Sequence, residues 1–300
     1  MRSTVFIHSN HRQRLGALVS AHSLVRNSAH ADAFDVKIIW LEDHPFFQRY
    51  EGREYLRGGG WRPWRNEDLQ SFTPLRFMPP ELMGYEGRAV IMDPDIFAVG
   101  DVHELLTRDM EGYAACTRLR TGAKSREECR ATSVMLLDCA KLTHWKVEEN
   151  FDELFTGERD YMDWICLHTE DKDSLGLLEA HWNDFDRLTS ETRLLHNTKR
   201  RTQPWKAGLP VDYIPAEKMR WFPPALWLQR ARRKLFGDYG LLGHYAAHPD
   251  PRQEAYFFTL LRECLENGSV GEGIVREEME RNHVRHDAFE VIDRLPREAA

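Results

Sequence analysis

The stretch Arg88-Ala89-Val90-Ile91-Met92-Asp93-Pro94-Asp95-Ile96-Phe97-Ala98 decides how this chain reads. Four apolar residues, Ala89 to Met92, run into two carboxylates one residue apart. An unbroken apolar run ending at acids is the pattern of a buried parallel strand, and open α/β sheets place their ligands at the C-terminal edge of such strands. Pro94 fixes φ between Asp93 and Asp95, so both side chains can offer oxygens to one hard divalent cation, which in turn holds a diphosphate. An Asp-X-Asp triplet alone is common by chance; the strand before it and the run Ile96 to Asp101 after it give it weight.

Working outward, Val5-Phe6-Ile7 is a short β-type run, and from about Arg12 to Asn27 the residues Leu15, Leu18, Val19, His22 and Val25 recur at helical spacing. Val36 to Leu41 returns to β-branched and aromatic residues, so the opening reads as a β-α-β unit with a parallel strand pair. A loop-rich stretch from Glu42 to about Leu69 carries Gly58-Gly59-Gly60-Trp61. Downstream, Ser133 to Asp138 reads as a second buried parallel strand, followed by a helix around Ala140 to Glu149, and Leu194-Leu195-His196 as a short third one. From about Pro215 the character changes: Trp221-Phe222-Pro223-Pro224 breaks the chain, a basic helix spans Ala225 to Phe236, and further helices lie over Gln253 to Glu266 and Gly271 to Leu295. The expected division is a domain over 1–214 and a helical extension over 215–300.

The 300 residues are 42% hydrophobic and 30% charged, a composition that excludes disordered and fibrous chains. A net charge of −7 argues against a surface built for nucleic acid. The charge is uneven, because residues 199–234 hold ten Lys and Arg against Asp212 and Glu217. Two readings of 220–236 stay open: a peripheral contact with the inner face of a membrane, or a helix packed on the rest of the chain. Five cysteines, at 116, 129, 139, 166 and 264, form no Cys-X-X-Cys pair and are odd in number, which predicts free thiols in a reducing, cytoplasmic setting. The first residues are too short an apolar stretch for a signal peptide, and no run approaches the length of a membrane span.

The segment Arg88 to Leu106, with Asp93-Pro94-Asp95 and then Val99-Gly100-Asp101, resembles the metal-binding segment of the glycosyltransferase family 8 type enzymes. Other marks follow in order. Val5 to His8 with the helix through Ser23 is similar to the family's nucleotide-binding opening, and Arg76 sits where a basic residue reaches the donor. Thr132 to Asp138 is similar to Asn-Ser-Gly-Val-Met-Leu-Ile-Asp, Trp182-Asn183 to a Trp-Asn pair, and His196 with Pro204-Trp205 to His-X-X-Gly-X-X-Lys-Pro-Trp. The resemblance covers about residues 4 to 208. It implies an α/β fold of GT-A type, with a mixed, mostly parallel sheet flanked by helices. It also implies Mn²⁺ (or Mg²⁺) on Asp93, Asp95 and His196, a nucleotide-sugar donor, a UDP-sugar, contacted by Ile7, His8, Arg76, Lys199, Arg200 and Lys206, and Asp163 near the anomeric carbon. The reaction it implies moves a hexose, with retention, to a saccharide or lipid-linked saccharide.

The chain also departs from that pattern. Ala131-Thr132-Ser133 replaces Asn-Ser-Gly, and Asp163-Trp164 stands where an Asp-Gln pair belongs. Lys199 replaces the Gly after His196, Gln203 the Lys before Pro204, and Pro204-Trp205 lies one residue farther from the His. Diphosphate contact then passes to the basic run, whose charge would stabilise a departing anion. The same acids also suit a nucleotidyltransferase or a nucleotide-sugar hydrolase, and the lost Asn and Gln suit a catalytically silent binding module. Gly58-Gly59-Gly60 lacks the ending of a phosphate loop. His244 with His248 and His283 with His286 have zinc-compatible spacing but read as surface histidines.

Overall fold

Strand β1 (Thr4–Ser9) is buried at all six positions, as a strand covered on both faces must be. The structure is a computed structural model and describes residues 2–120, 129–213 and 243–296. It divides into two units, Met1–His196 and Asn197–Ala300. The expected boundary at 214/215 and the basic segment 220–236 lie outside the described residues.

In the first unit, α1 (Arg14–Arg26) leads from β1 to β2 (Asp35–Trp40), which pairs parallel with β1, the expected β-α-β unit. On the other side of β1 lies β5 (Arg88–Met92), parallel, with Ile7 opposite Met92. The six-stranded sheet runs β2-β1-β5-β8-β7-β9, where β7 is Ala115–Leu119, β8 is Arg130–Asp138 and β9 is Leu175–Leu177. Three of its five pairings are parallel. Successive residues serve opposite faces: Phe6, Ala89 and Ile91 join an aromatic-rich core with Phe47, Phe77 and Trp164, while Val5, Ile7, Val90 and Met92 join an aliphatic one.

Strand β8 is a correction. It runs antiparallel to both β5 and β7, not parallel, so Thr132 and Ser133 at its beginning, rather than Asp138 at its end, reach the edge where β5 delivers Asp93. The helix expected over Ala140 to Glu149 is also displaced. Residues Cys139–Lys141 form one 3-10 turn, and after the short α2 (Pro79–Leu82) and α3 (His103–Thr107) the next helix, α4, is Val147–Thr156. Its apolar stripe Val147, Phe151 and Leu154 is buried, and Gly157 closes it with a φ of +83°, the left-handed turn that glycine takes without steric cost. The glycine-rich stretch is a hairpin, β3 (Glu54–Arg57) and β4 (Gly60–Pro63), turned by Gly58 and Gly59 at φ +61° and +75°. The Asp160 carboxylate accepts from both turn amides, tying the hairpin to the start of α5 (Tyr161–Ile165).

A second sheet holds β10 (Asp184–Phe185), β11 (Leu194–His196) and β6 (Ile96–Ala98). Helix α1 is fixed to β6 by one polar stripe at helical spacing. Gly16 lets the helix approach Pro94 so closely that an added Cβ would stand 2.9 Å from the Pro94 carbonyl oxygen. Ser20 Oγ donates to Ile96 O at 2.6 Å, Ser23 Oγ accepts from Ala98 N at 2.8 Å, and Asn27 Nδ2 donates to Ala98 O at 2.8 Å.

The cysteines give a further correction. Cys129 and Cys166 form a disulfide, and Cys116, Cys139 and Cys264 are buried free thiols. The pairing depends on how the start of β8 meets the end of α5, which cysteine spacing does not encode.

In the second unit, α6 (Pro251–Asn267) is capped by the Asp250 carboxylate, which accepts from Arg252 N, with Pro251 in the first turn. Shorter helices α7 (Glu272–Glu280) and α8 (Ala288–Arg294) follow. Phe257 of α6 lies 4.8 Å, centroid to centroid, from Trp205. His248 and His283 are buried rather than on the surface, and His283 Nδ1 is 2.9 Å from Glu278 Oε2. Among the described residues no helix is long and apolar enough to cross a membrane.

Candidate active site

Strand β5 ends at Met92, so Asp93 emerges at the sheet edge, where its N–H donates to Ser133 O at 3.0 Å. The turn is closed by Ile96 N donating to Asp93 O at 3.3 Å, and β6 begins at once. Antiparallel pairing sets His196 opposite Ile96, and so beside Asp95. Oxygens of Asp93 and Asp95 and a ring nitrogen of His196 lie within 4.8 Å of one another, the one group of three or more metal-ligating side chains found among the described residues.

His196 is oriented from behind. Its Nδ1 is 2.8 Å from Oδ1 of the buried Asn183, whose Nδ2 donates to Ser133 Oγ at 2.9 Å. With Nδ1 committed to the amide oxygen, Nε2 faces Asp95 Oδ1 at 3.3 Å. A cation between that nitrogen and the carboxylates would satisfy all three acceptors, and an outer partner of this kind is what fixes a ligating imidazole. Two carboxylates and one imidazole suit Mn²⁺ or Mg²⁺, so these residues fit a divalent cation.

Asp93 is also held from inside. Arg76, buried on the turn Thr73–Phe77, places Nη2 at 2.7 Å from Oδ1 and 2.5 Å from Oδ2 of Asp93, and its Nη1 donates to Thr132 Oγ1 at 3.0 Å. Thr132 Oγ1 in turn donates to Ile165 O at 2.8 Å, at the end of α5. His8, last but one in β1 and fully buried, sets Nε2 3.0 Å from Asp93 Oδ1. Burial pushes the Asp93 carboxyl up, but the Arg76 guanidinium and the His8 hydrogen bond outweigh it and hold the group well below the usual carboxylate range. For His8 burial dominates and lowers its pKa despite Asp93, and its Nδ1 is buried with no hydrogen-bond partner among the described residues.

The remaining expected residues are placed as follows. Ile7 is buried in the sheet core, two residues before β1 ends at Ser9 and opposite Met92, the last residue of β5. Asp163 is an exposed residue of α5, its Oδ1 3.2 Å from His168 Nδ1. The adjacent Trp164 is buried and stacks on Phe77 at 4.6 Å. Lys199, Arg200 and Lys206 belong to the second unit. There the Arg200 guanidinium lies over the Tyr213 ring, and the buried Lys206 Nζ is 2.7 Å from Asp212 Oδ2. Sequence reasoning did not give Thr132 and Asn183 their parts. Both fall in segments that the sequence pattern singled out, Thr132 to Asp138 and Trp182-Asn183, but nothing in the residues themselves marks the hydrogen bonds they make.

No family model matches the chain, and no curated protein does. Among solved structures it is similar to the glycosyltransferase GlyE of Streptococcus pneumoniae TIGR4, at 13% identity and a TM-score of 0.49, over 90% of this chain and 64% of that one. It is similar to the galactosyltransferase LgtC in complex with donor and acceptor sugar analogues, at 16% identity and 0.45, over 67% and 89%. A third is mouse xyloside xylosyltransferase 1, at 11% identity and 0.43, over 66% and 98%. The chain thus spans less than two thirds of the GlyE chain.

Proposed function

We propose that this chain is a GT-A type glycosyltransferase that uses a divalent cation to move a hexose from a nucleotide-sugar, a UDP-sugar by the sequence resemblance, to a saccharide or lipid-linked saccharide. The observation that carries the reading is the convergence of Asp93, Asp95 and His196 at the edge of a buried strand, with the Arg76 cation behind them. Bound there, Mn²⁺ or Mg²⁺ supplies Lewis-acid neutralisation of a diphosphate leaving group. The protein's own share is positional. Arg76 and His8 hold Asp93 ionised at the strand end, Asn183 aims His196, and the close packing of Gly16 on Pro94 supports the turn that carries Asp95. Preorganised groups of this kind cost no rearrangement as charge grows on the departing oxygen. The end of β1 at Ile7 and His8 faces the nucleotide, Lys199 and Arg200 add positive charge toward the diphosphate, and Asp163 supplies the carboxylate that orients the sugar at the anomeric centre. Residues 220–236 make a peripheral contact with an anionic membrane surface, and no nucleic acid is a partner.

The test is nucleotide release from a panel of nucleotide-sugars with Mn²⁺, with and without saccharide acceptors. Turnover that rises with acceptor and falls at least a hundredfold in Asp95→Asn is expected, the order lost when one preorganised electrostatic group is removed. Release that ignores acceptor identifies a hydrolase instead, and Asp95→Asn at full activity in chelator-treated buffer removes the metal assignment.

A further inference from the structure

We infer that the Cys129–Cys166 disulfide is a thiol-exchange site through which a protein or small-molecule dithiol controls the Arg76–Asp93 pair. The inference rests on the donor-site reading above for its consequence, but not for its chemistry.

Three links join the start of β8 to the end of α5. They are the disulfide itself, Arg130 N donating to Cys166 O at 3.4 Å, and Thr132 Oγ1 donating to Ile165 O at 2.8 Å. The same Thr132 oxygen accepts from Arg76 Nη1. The covalent bond is therefore one step from Thr132 and two from the guanidinium that grips Asp93. After Cys166 the chain turns through Leu167 at φ +60°, a left-handed conformation that crowds the Cβ of an L-residue, so freeing Cys166 gives that turn a reason to relax and to draw Ile165 away from Thr132.

Access and selectivity fit exchange at this bond. Cys129 is half-buried whereas Cys166 is 3% exposed, so an incoming thiolate meets the Cys129 sulfur first. Attack there forms a mixed disulfide and expels Cys166 as a thiolate, which takes up a proton. The second thiol of the reductant then attacks the mixed disulfide, releasing the Cys129 thiol and leaving the reductant as its own disulfide. Two electrons pass from the dithiol to the protein. The other cysteines compete poorly, since burial pushes the Cys139 thiol up to about 12 and the Cys264 thiol up to about 11, and raises Cys116 as well.

The experiment compares the full chain oxidised with glutathione disulfide, the same chain reduced with dithiothreitol and desalted without air, and Cys129→Ser/Cys166→Ser. Each is titrated calorimetrically with Mn²⁺ and uridine diphosphate, and backbone hydrogen exchange is followed over residues 129–138. Reduction should weaken binding roughly tenfold, the lower end of what losing an outer partner of a metal site costs. It should also speed exchange at 131–134, and reoxidation should reverse both. The double variant should match the reduced chain and ignore dithiothreitol. Equal binding in the two redox states overturns the inference, as does peptide mapping that finds both cysteines free in the oxidised protein. If no state binds the probe, the donor reading fails and exchange at 131–134 decides alone: a reversible response sustains the thiol site, and none removes it.

Discussion

At the residue scale, Asp93 shows how much of the site is built from inside the protein. Its carboxylate is shared between an outward task and an inward pair with Arg76, both side chains being nearly buried. Breaking a buried pair leaves an uncompensated charge, so Arg76→Ala should cost about 3 kcal/mol in urea unfolding. Arg76→Lys keeps the charge but loses the two-point grip and should recover part of that. The pH dependence follows from the same group. The pKa of His8 is lowered in the folded chain from its ordinary 6.5, so on acidification the unfolded chain takes the proton first, and stability falls from about pH 6.5 downward. Asp93, depressed from its ordinary 3.8, contributes fully above that value and is lost only at lower pH. Unfolding midpoints measured between pH 4 and 7 should therefore slope less steeply in His8→Asn than in the wild type. Asp163 makes the opposite case, since its exposed carboxylate holds only the surface contact with His168. Asp163→Asn should lower kcat with donor affinity and melting temperature unchanged, and unchanged kcat would remove it from the chemistry. The candidate metal ligands Asp93 and Asp95 were legible because acids at the end of an apolar strand have few other uses. Thr132 and Asn183 were not, because a polar residue that serves its neighbours looks like any other.

At the scale of elements, β1, β2, β5, β8 and β11 were legible as apolar runs, and with them the parallel pairing of β1, β2 and β5, whereas the hairpin β3–β4 and strand β7 were not, and the direction of β8 was misread. Val134 to Leu137 is continuously apolar because it is buried on both faces, and burial says nothing about orientation; β8 pairs antiparallel with both β5 and β7. The displaced α4 carries its buried stripe on Val147, Phe151 and Leu154, which join the same core as Trp145. Helix α1 was found from its leucines, whereas the stripe of Gly16, Ser20, Ser23 and Asn27 that fixes it to Pro94 and β6 was not. Gly16→Ala separates two effects of opposite sign. Alanine favours an isolated helix over glycine by about 1 kcal/mol, whereas here its Cβ would press on the Pro94 carbonyl. The variant should melt lower and bind Mn²⁺ more weakly; a higher melting temperature with intact binding would mean the contact is slack. The disulfide closes a loop of 37 residues, for which loop-closure entropy gives about 4 kcal/mol, so Cys129→Ser/Cys166→Ser should unfold at markedly lower urea than the oxidised chain.

For the whole molecule, composition set the class, and the charge distribution marks one segment apart from the rest. Ten basic residues between 199 and 234 stand against a chain that is otherwise acidic. Lys206 meets its charge within the second unit through Asp212, which removes it from the pool of free surface cations. Arg230, Arg232, Arg233 and Lys234, with Trp221, Phe222, Trp227 and Phe236 nearby in sequence, combine the two ingredients of an interfacial segment, aromatic rings for the headgroup boundary and cations for anionic lipid. Each basic residue near such a surface contributes about 1 kcal/mol, so changing those four to Gln should weaken vesicle binding by roughly three orders of magnitude. Sedimentation with anionic and neutral vesicles reads this directly. The wild type should pellet with anionic vesicles at low salt and dissociate as salt rises, because the Debye length shrinks from about 10 Å at 0.1 M to about 3 Å at 1 M. The four-Gln variant should stay in the supernatant throughout. A wild type that also stays there has its arginines paired with the acidic remainder of the chain, and the segment is then a structural cap whose removal would lower the melting temperature instead.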